Sequence, residues 1–352
     1  MTTAGARIPG ISRNGDTHPS RAGSPLSVLA ARMLPIRFTQ IAAWEATVIA
    51  AALTFHLAGP AGRVAIALAA ALVVAGTSVR VAGRHFAGWT LIWIGYRLLQ
   101  HHDRKLAMDP LLGLAPDFRL RQHGDRSGNR FGIAGVGDGW SAVVKVHGEP
   151  DPRTLLDVVR KACDNPDIPL SAAQLTIHAD GARRAYLVAV RFRAAEAPLA
   201  AISRGSGELG EHRATARAAL GVVAALADAG YDSTVLEAGE LAAELRASIG
   251  VGADSRVVVS DGWRSWSAGD TEQAGFSATA DVLGAHARGA AVTVTSFTTS
   301  RTSHGKLRDD VVVRVVAREG TPDAKDLDFP VVPLYGRHET SVRRSLPLAL
   351  TR

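Results

Sequence analysis

The sequence predicts an α+β protein: an N-terminal two-helix transmembrane hairpin, then a cytoplasmic α+β domain of two ferredoxin-like (βαββαβ) repeats. Three observations carry this expectation. Residues 46–62 and 64–79 contain no Asp, Glu, Lys or Arg and are rich in Ala, Leu, Ile and Val. Basic residues cluster on both flanks of those runs and almost vanish between them. From residue 140 onward, short alternating runs of strand character are interleaved with amphipathic helical runs.

Residues 1–34 mix Gly, Ser, Thr, Pro and Arg without hydrophobic periodicity, and are read as a disordered basic tail. The hairpin and its extension occupy residues 35–100, with apolar helices over about 41–58 and 64–81. Each reaches roughly 27 Å at about 1.5 Å rise per residue, close to a bilayer core. Gly59, Pro60 and Gly62 between them mark a tight reversal. A cleaved signal peptide is not expected, because the first run starts late and a second follows at once.

Arg7, Arg13, Arg21, Arg32 and Arg37 precede the first run. Arg80, Arg84, Arg97, Arg104 and Lys105 follow the second, and the connecting loop holds only Arg63. Positive residues stay on the cytoplasmic side, so both termini are expected in the cytoplasm of a multi-pass plasma-membrane protein. Arg32, Arg37, Arg80, Arg84, Arg104 and Lys105 form a basic inner flank suited to anionic lipid headgroups. Trp44, beside Glu45, is placed at the headgroup level. Phe86, Trp89, Trp93 and Tyr96 recur at steps of three and four, an aromatic stripe on a helix over 86–99. That helix is short for a span, so it is expected to run along the inner interface, anchored by its aromatics. Packing against the protein's own domain is the competing reading.

Residues 101–131 combine Pro, Gly and charge with little periodicity and read as a linker. The cytoplasmic domain spans 132–350, with halves of about 132–237 and 238–350. In the first half, strands are expected at 140–146, 173–179, 184–193 and 233–236, and helices at 152–162 and 211–229. In the second, a bridging helix (238–248) precedes strands at 256–260 and 263–267 and a weak helix at 277–288. Strands at 291–299 and 309–317 and a helix at 335–346 complete it. Asp138-Gly139-Trp140 and Asp261-Gly262-Trp263 open the two halves at nearly matching places, which suggests two divergent copies of one unit.

Net charge divides unevenly. Residues 1–130 hold 15 Lys+Arg against 6 Asp+Glu, and the rest hold 25 against 27. The large domain is therefore not basic, which argues against nucleic-acid binding. The single cysteine, Cys163, allows no intrachain disulfide and reads as a small buried apolar residue.

No motif demands catalysis. Gly205 to Gly210 matches G-x-G-x-x-G, but no strand directly precedes it, and Glu208 and Glu211 place carboxylates where phosphates would sit. There is no P-loop, no G-x-S-x-G and no HExxH; His338-Glu339 lacks a second histidine. Adjacent His101 and His102 lack partners at ligand spacing, so no metal or cofactor is expected. Asp326-Leu327-Asp328 is a DxD of the kind some sugar-nucleotide enzymes use for metal.

The layout, with GIAGVGDGWSAVVKV (132–146) opening the domain and PLYGRHETSVRRSLPLA (333–349) closing it, resembles EccE, a membrane component of the type VII (ESX) secretion systems of actinobacteria. The resemblance implies a structural subunit assembled with EccB, EccC and EccD, with ATPase activity in EccC and no catalytic residues in EccE. The leading expectation is thus a non-catalytic subunit supporting protein export. The alternatives are a membrane-tethered nucleotide-sugar transferase-like enzyme using the Asp326/Asp328 loop, and a lipid-surface sensor working through the basic flank.

Overall fold

In a computed structural model the chain is described over residues 38–55, 59–78, 80–81, 84–99, 106–181, 183–252, 256–278, 282–283, 290–302, 305–317, 320–327 and 329–351. It divides into two units, residues 1–78 and 79–352.

The first unit holds helices α1 (Phe38–Phe55) and α2 (Pro60–Ser78). Pro60 stands at the first position of α2, where its missing N–H costs nothing. The Trp44 indole donates to Thr77 Oγ1 at 2.7 Å, so the two helices are side by side. Among the described residues, only α2, at 19 residues and with none of it buried, is long and apolar enough to cross a membrane. The apolar part of α1, Trp44–Phe55, is shorter. The second run was expected to stay helical to residue 81; instead α2 stops at Ser78 and Arg80–Val81 is a strand.

In the second unit, β1 (Arg80–Val81) and β2 (Arg84–His85) form a small ribbon ahead of α3 (Phe86–Leu99). All the remaining strands join one 13-stranded, wholly antiparallel sheet. These are β3 (Leu106–Met108), β4 (Arg119–Gly124), β5 (Arg130–Val136), β6 (Gly139–Val146), β7 (Ala172–Asp180), β8 (Arg183–Arg193), β9 (Ser233–Val235), β10 (Val257–Asp261), β11 (Trp266–Ala268), β12 (Thr271–Ser277), β13 (Val292–Arg301), β14 (Leu307–Ala317) and β15 (Val332–Pro333). Their order is β3-β10-β11-β12-β14-β13-β7-β8-β6-β5-β4, with β15 on β12 and β9 on β6. The helices are α4 (Pro110–Leu114), α5 (Pro152–Asp164), α6 (Pro198–Ile202), α7 (Gly207–Asp228), α8 (Ala238–Ile249) and α9 (His338–Ser345).

Local chemistry explains the elements that periodicity found. Asp151 caps α5 by accepting from the Arg153 and Thr154 N–H groups, with Pro152 at the first position. Leu155, Leu156, Val158, Val159 and Cys163 then form its buried stripe. Gly181, at φ 54°, closes the β7–β8 turn, a conformation a side chain would strain. Glu237 and Glu240 make a reciprocal capping box on α8.

Helices cover both faces of the sheet. On one face α5 and α7 pack over Ala142, Val144, Leu175, Val188 and Val190, and the same core continues through Phe276, Phe297, Val313 and Val315. On the other, α4, α8, α9 and the terminal Leu346, Leu348 and Leu350 pack over Val143, Leu187, Ala189 and Trp266.

Three expectations are corrected, and a fourth falls mostly outside the described residues. Residues 106–124 are not a linker: β3, α4 and β4 belong to the sheet and its covering layer, and Leu111 and Leu114 are buried. Their short apolar contacts lie far along the chain, which local periodicity does not register. Residues 271–277 form a strand that the sequence reading missed, because TEQAGFS has no alternation. The helix expected over 277–288 falls mostly outside the described residues. The Asp-Gly-Trp pair does not mark equivalent places: Trp140 lies within β6, whereas Trp263 sits in the turn before β11.

Candidate interaction site

The stripe on α3 divides between two faces. Trp89 and Tyr96 turn toward the domain, where Trp263 and Tyr335 meet them. Ring centroids are 6.3 Å apart for Trp89–Trp263, 5.3 Å for Trp89–Tyr335, 5.3 Å for Tyr96–Trp263 and 6.0 Å for Trp263–Tyr335. Edge-on and offset geometries of this kind add to the area the rings bury. Phe86 and Trp93 stand at the edge of the stripe away from those rings, 53% and 48% exposed, and exposed Leu91, Ile94 and Leu98 continue around the helix. The Arg97 guanidinium sits 5.6 Å above the Trp93 ring.

Backbone and caps hold the cluster in place. Tyr96 donates its hydroxyl to the Asp261 carbonyl at 3.3 Å. The Gly336 N–H donates to the Trp263 carbonyl at 2.9 Å. A Cβ on Gly336, at φ 66°, would come within 2.8 Å of the Trp263 ring, so glycine is required both by conformation and by close approach. His338 is fully buried between these parts. Its Nδ1 accepts from the Gly275 N–H at 3.0 Å, and its Nε2 lies 3.2 Å from the Trp263 carbonyl, which makes it the donor there. Burial pushes its pKa down to about 4, so it is a neutral strut rather than a charge.

Asp261 is the unusual group. Its carboxylate accepts the Glu339 main-chain N–H at the start of α9, whose own N-cap Arg337 provides no side-chain cap. Burial, then the negative charge of Glu339, push its pKa up to about 7, and its Oδ1 has no hydrogen-bond partner among the described residues. The sequence signalled Asp261 and Trp263 through the repeated tripeptide and Tyr335 only as a member of the closing pattern; nothing marked the two stretches as neighbours.

The closing pattern of the chain has a second role. On the sheet face beneath α9, buried Gln174 donates to the Arg344 carbonyl at 2.8 Å and accepts from the Ala349 N–H at 2.7 Å. Ser141 donates to the Leu348 carbonyl at 2.7 Å. Arg314, fully buried, donates to Ser345 Oγ at 2.7 Å, to the Ser248 carbonyl at 2.7 Å and to Gln273. Burial lowers its pKa to about 9. Arg344 pairs with Asp310. Polar groups at the centre of a sheet face are tolerated because the terminal segment satisfies them.

The remaining sequence-singled residues are placed as follows. Trp44 bonds Thr77, and Glu45 is exposed. Arg80 and Arg84 lie on β1 and β2. Arg32, Arg37, Arg104, Lys105, His101, His102 and Asp328 lie outside the described residues. Asp326 ends a short 3-10 turn (Ala324–Asp326), and Leu327 beside it is buried in the core. No group of three or more His, Cys, Asp or Glu side chains that could hold a metal occurs among the described residues. Gly205 to Gly210 form the turn into α7: a Cβ on Gly210 would lie 2.3 Å from the Gly205 carbonyl oxygen, so packing of the turn accounts for that glycine. Cys163 is buried, its thiol pushed up to about 12 by burial and donating to the Thr299 carbonyl.

Residues 181–278, from β8 through β12, match a family model described as "Putative type VII ESX secretion system translocon, EccE". Over that stretch the chain is similar to the EccE family. This match bears out the resemblance drawn from the two end patterns, over a segment lying between them. It takes in Asp261 and Trp263 of the aromatic cluster, so half of the brace on α3 lies inside the EccE match. No curated protein matches the chain.

Proposed function

We propose that this EccE-type protein is a non-catalytic structural subunit of the type VII secretion membrane complex. It holds its domain at the cytoplasmic face and docks there on EccB-, EccC- and EccD-type subunits, with the ATPase in EccC. One observation carries the reading. Helix α3 is bolted to the domain through Trp89 and Tyr96, yet presents Phe86, Leu91, Trp93, Ile94 and Leu98 outward as an apolar face. In water such a face is costly; against lipid or partner helices it is a means of attachment.

In this reading α1 and α2 form a transmembrane hairpin with both termini cytoplasmic. Arg32, Arg37, Arg80, Arg84, Arg104 and Lys105 meet anionic headgroups, and Trp44, Phe86 and Trp93 sit at the interface. The two halves of the domain are divergent copies of one ferredoxin-like unit. The strand adjacencies β9-β6-β8-β7 and β15-β12-β14-β13 support this, since each places the unit's fourth, first, third and second strands side by side. No observation favours the transferase alternative over the structural role.

Migration of the detergent-extracted full chain tests the proposal. Co-migration in a large assembly with an ATPase subunit is expected; a stable isolated monomer, or an active reporter fused outside the cell at either terminus, overturns it.

A further inference from the structure

A second surface lies away from α3. The end of α5, the loop after it, α6 and the flank of α7 enclose an open groove of about 1080 Å³. Its floor is the middle of α7, where Ala218, Gly221 and Ala225 present almost no side chain. One wall ends in Leu199, which is 81% exposed, next to Ile202 at 70%.

Gly221 is the informative position. A glycine in a helix interior is unfavourable relative to alanine, because it frees the backbone of the unfolded chain and adds no side chain to pack. A Cβ at Gly221 would meet nothing within 4 Å, so no contact inside this chain requires its absence. Space left bare on an exposed helix, beside two projecting aliphatic side chains, suits a helix that approaches closely.

The rim selects the charge of the occupant. Lys161 and Arg217 engage no carboxylate among the described residues, and Arg204 donates to the Ala200 carbonyl and Ser203 Oγ. Of the two acidic rim residues, Glu196 is taken by Arg193 in an ion pair, leaving Asp167. The uncommitted charge of the rim is therefore positive.

We infer that this groove receives an amphipathic helix of a partner protein, apolar along one face and edged with carboxylates. A second copy of the chain is disfavoured because it would bring the same basic rim to the site. The inference rests on the structural-subunit reading only for the partner's place in the same assembly; the groove chemistry stands apart from it.

Two arms test it on the full chain in detergent. The probe is a synthetic helical peptide with a Leu/Ile face edged by Glu, compared by fluorescence anisotropy with the same peptide edged by Lys. The Glu peptide is expected to bind at least tenfold more tightly, and more weakly as salt rises. Gly221→Leu and Leu199→Asp should each weaken it at least tenfold, while Leu112→Asp, at an exposed position on α4, should not. Gly221→Leu raises helix propensity, so its effect is not one of unfolding. Equal binding of both peptides, no binding of the Glu peptide, or indifference to Gly221→Leu overturns the inference. A photocrosslinker at Leu199 in the native membrane should label an acidic helical segment of another subunit; labelling of lipid or of a second copy overturns it. Success with the peptide alongside a monomeric chain in membranes would sink the secretion-subunit reading alone.

Discussion

The Tyr96 hydroxyl donates to the main-chain carbonyl of Asp261, 165 residues further along the chain. That bond and the rings around it turn a short aromatic helix into part of the domain. The same turn, through the carboxylate of Asp261, caps α9. Anchoring helix, turn and C-terminal helix are thus one mechanical element.

Breaking the brace should release α3 while leaving the sheet intact. Trp263 touches Trp89, Tyr96 and Tyr335, so Trp263→Ala should cost about 2–4 kcal/mol. Tyr96→Phe loses one long hydrogen bond and should cost about 0.5–1 kcal/mol. Hydrogen exchange should show faster amide exchange across Phe86–Leu99 in Trp263→Ala with β7 and β8 unchanged. Uniform protection in that variant would mean the rings do not hold the helix.

Asp261 should give the domain a distinctive pH dependence. Its folded pKa, about 7, lies above the 3.8 of an ordinary aspartate, so the folded protein binds a proton the unfolded chain has lost. The stability this confers is complete below about pH 4 and fades as pH rises toward 7, by about 4 kcal/mol in all. Asp261→Asn keeps an acceptor for the Glu339 N–H without a charge. It should flatten that part of the curve of Tm against pH and raise Tm at pH 8. A variant that is less stable than wild type at pH 8 would contradict the burial of an ionised Asp261.

The glycines of the Gly205–Gly210 turn offer a clean test of their role. Gly210→Ala drives a methyl against the Gly205 and Ala201 carbonyl oxygens, 2.3 and 2.4 Å away. It should destabilise by about 1–3 kcal/mol. Dinucleotides should leave the wild-type Tm unchanged. A Tm rise with NAD would return the motif to cofactor binding.

How much of this was legible depended on whether the cause was local. Helix α5 was readable because Asp151, Pro152 and its apolar stripe are neighbours in sequence. The β7–β8 pair was readable from alternation and Gly181. Strand β12 was not, since Gln273 and Gly275 are there for distant partners: Arg314 and the Ser341 side chain of α9. At the candidate site, period and spacing found all four aromatics of α3. They could not say that the stripe straddles a boundary, with Trp89 and Tyr96 inward and Phe86 and Trp93 outward. That division is made by Trp263 and Tyr335, which no pattern within residues 86–99 could reveal.

The end of the chain should be indispensable to folding. Leu346, Leu348 and Leu350 are at most 4% exposed, and Gln174, Ser141 and Arg314 depend on the main chain or side chains of residues 344–349 for their hydrogen bonds. Burying three leucines contributes about 5–9 kcal/mol. Losing the Leu348 carbonyl and the Ala349 N–H takes a partner from the buried Ser141 hydroxyl and the Gln174 carbonyl oxygen, about 1–3 kcal/mol each. Together these match the entire stability of a typical domain, about 5–15 kcal/mol. Deletion of residues 346–352 should therefore abolish the cooperative melting transition of the extracted protein and leave its domain open to proteolysis. Deletion of Arg352 alone should leave melting unchanged. A protease-resistant domain after the longer deletion would show that the terminal strap covers the sheet without being needed to hold it.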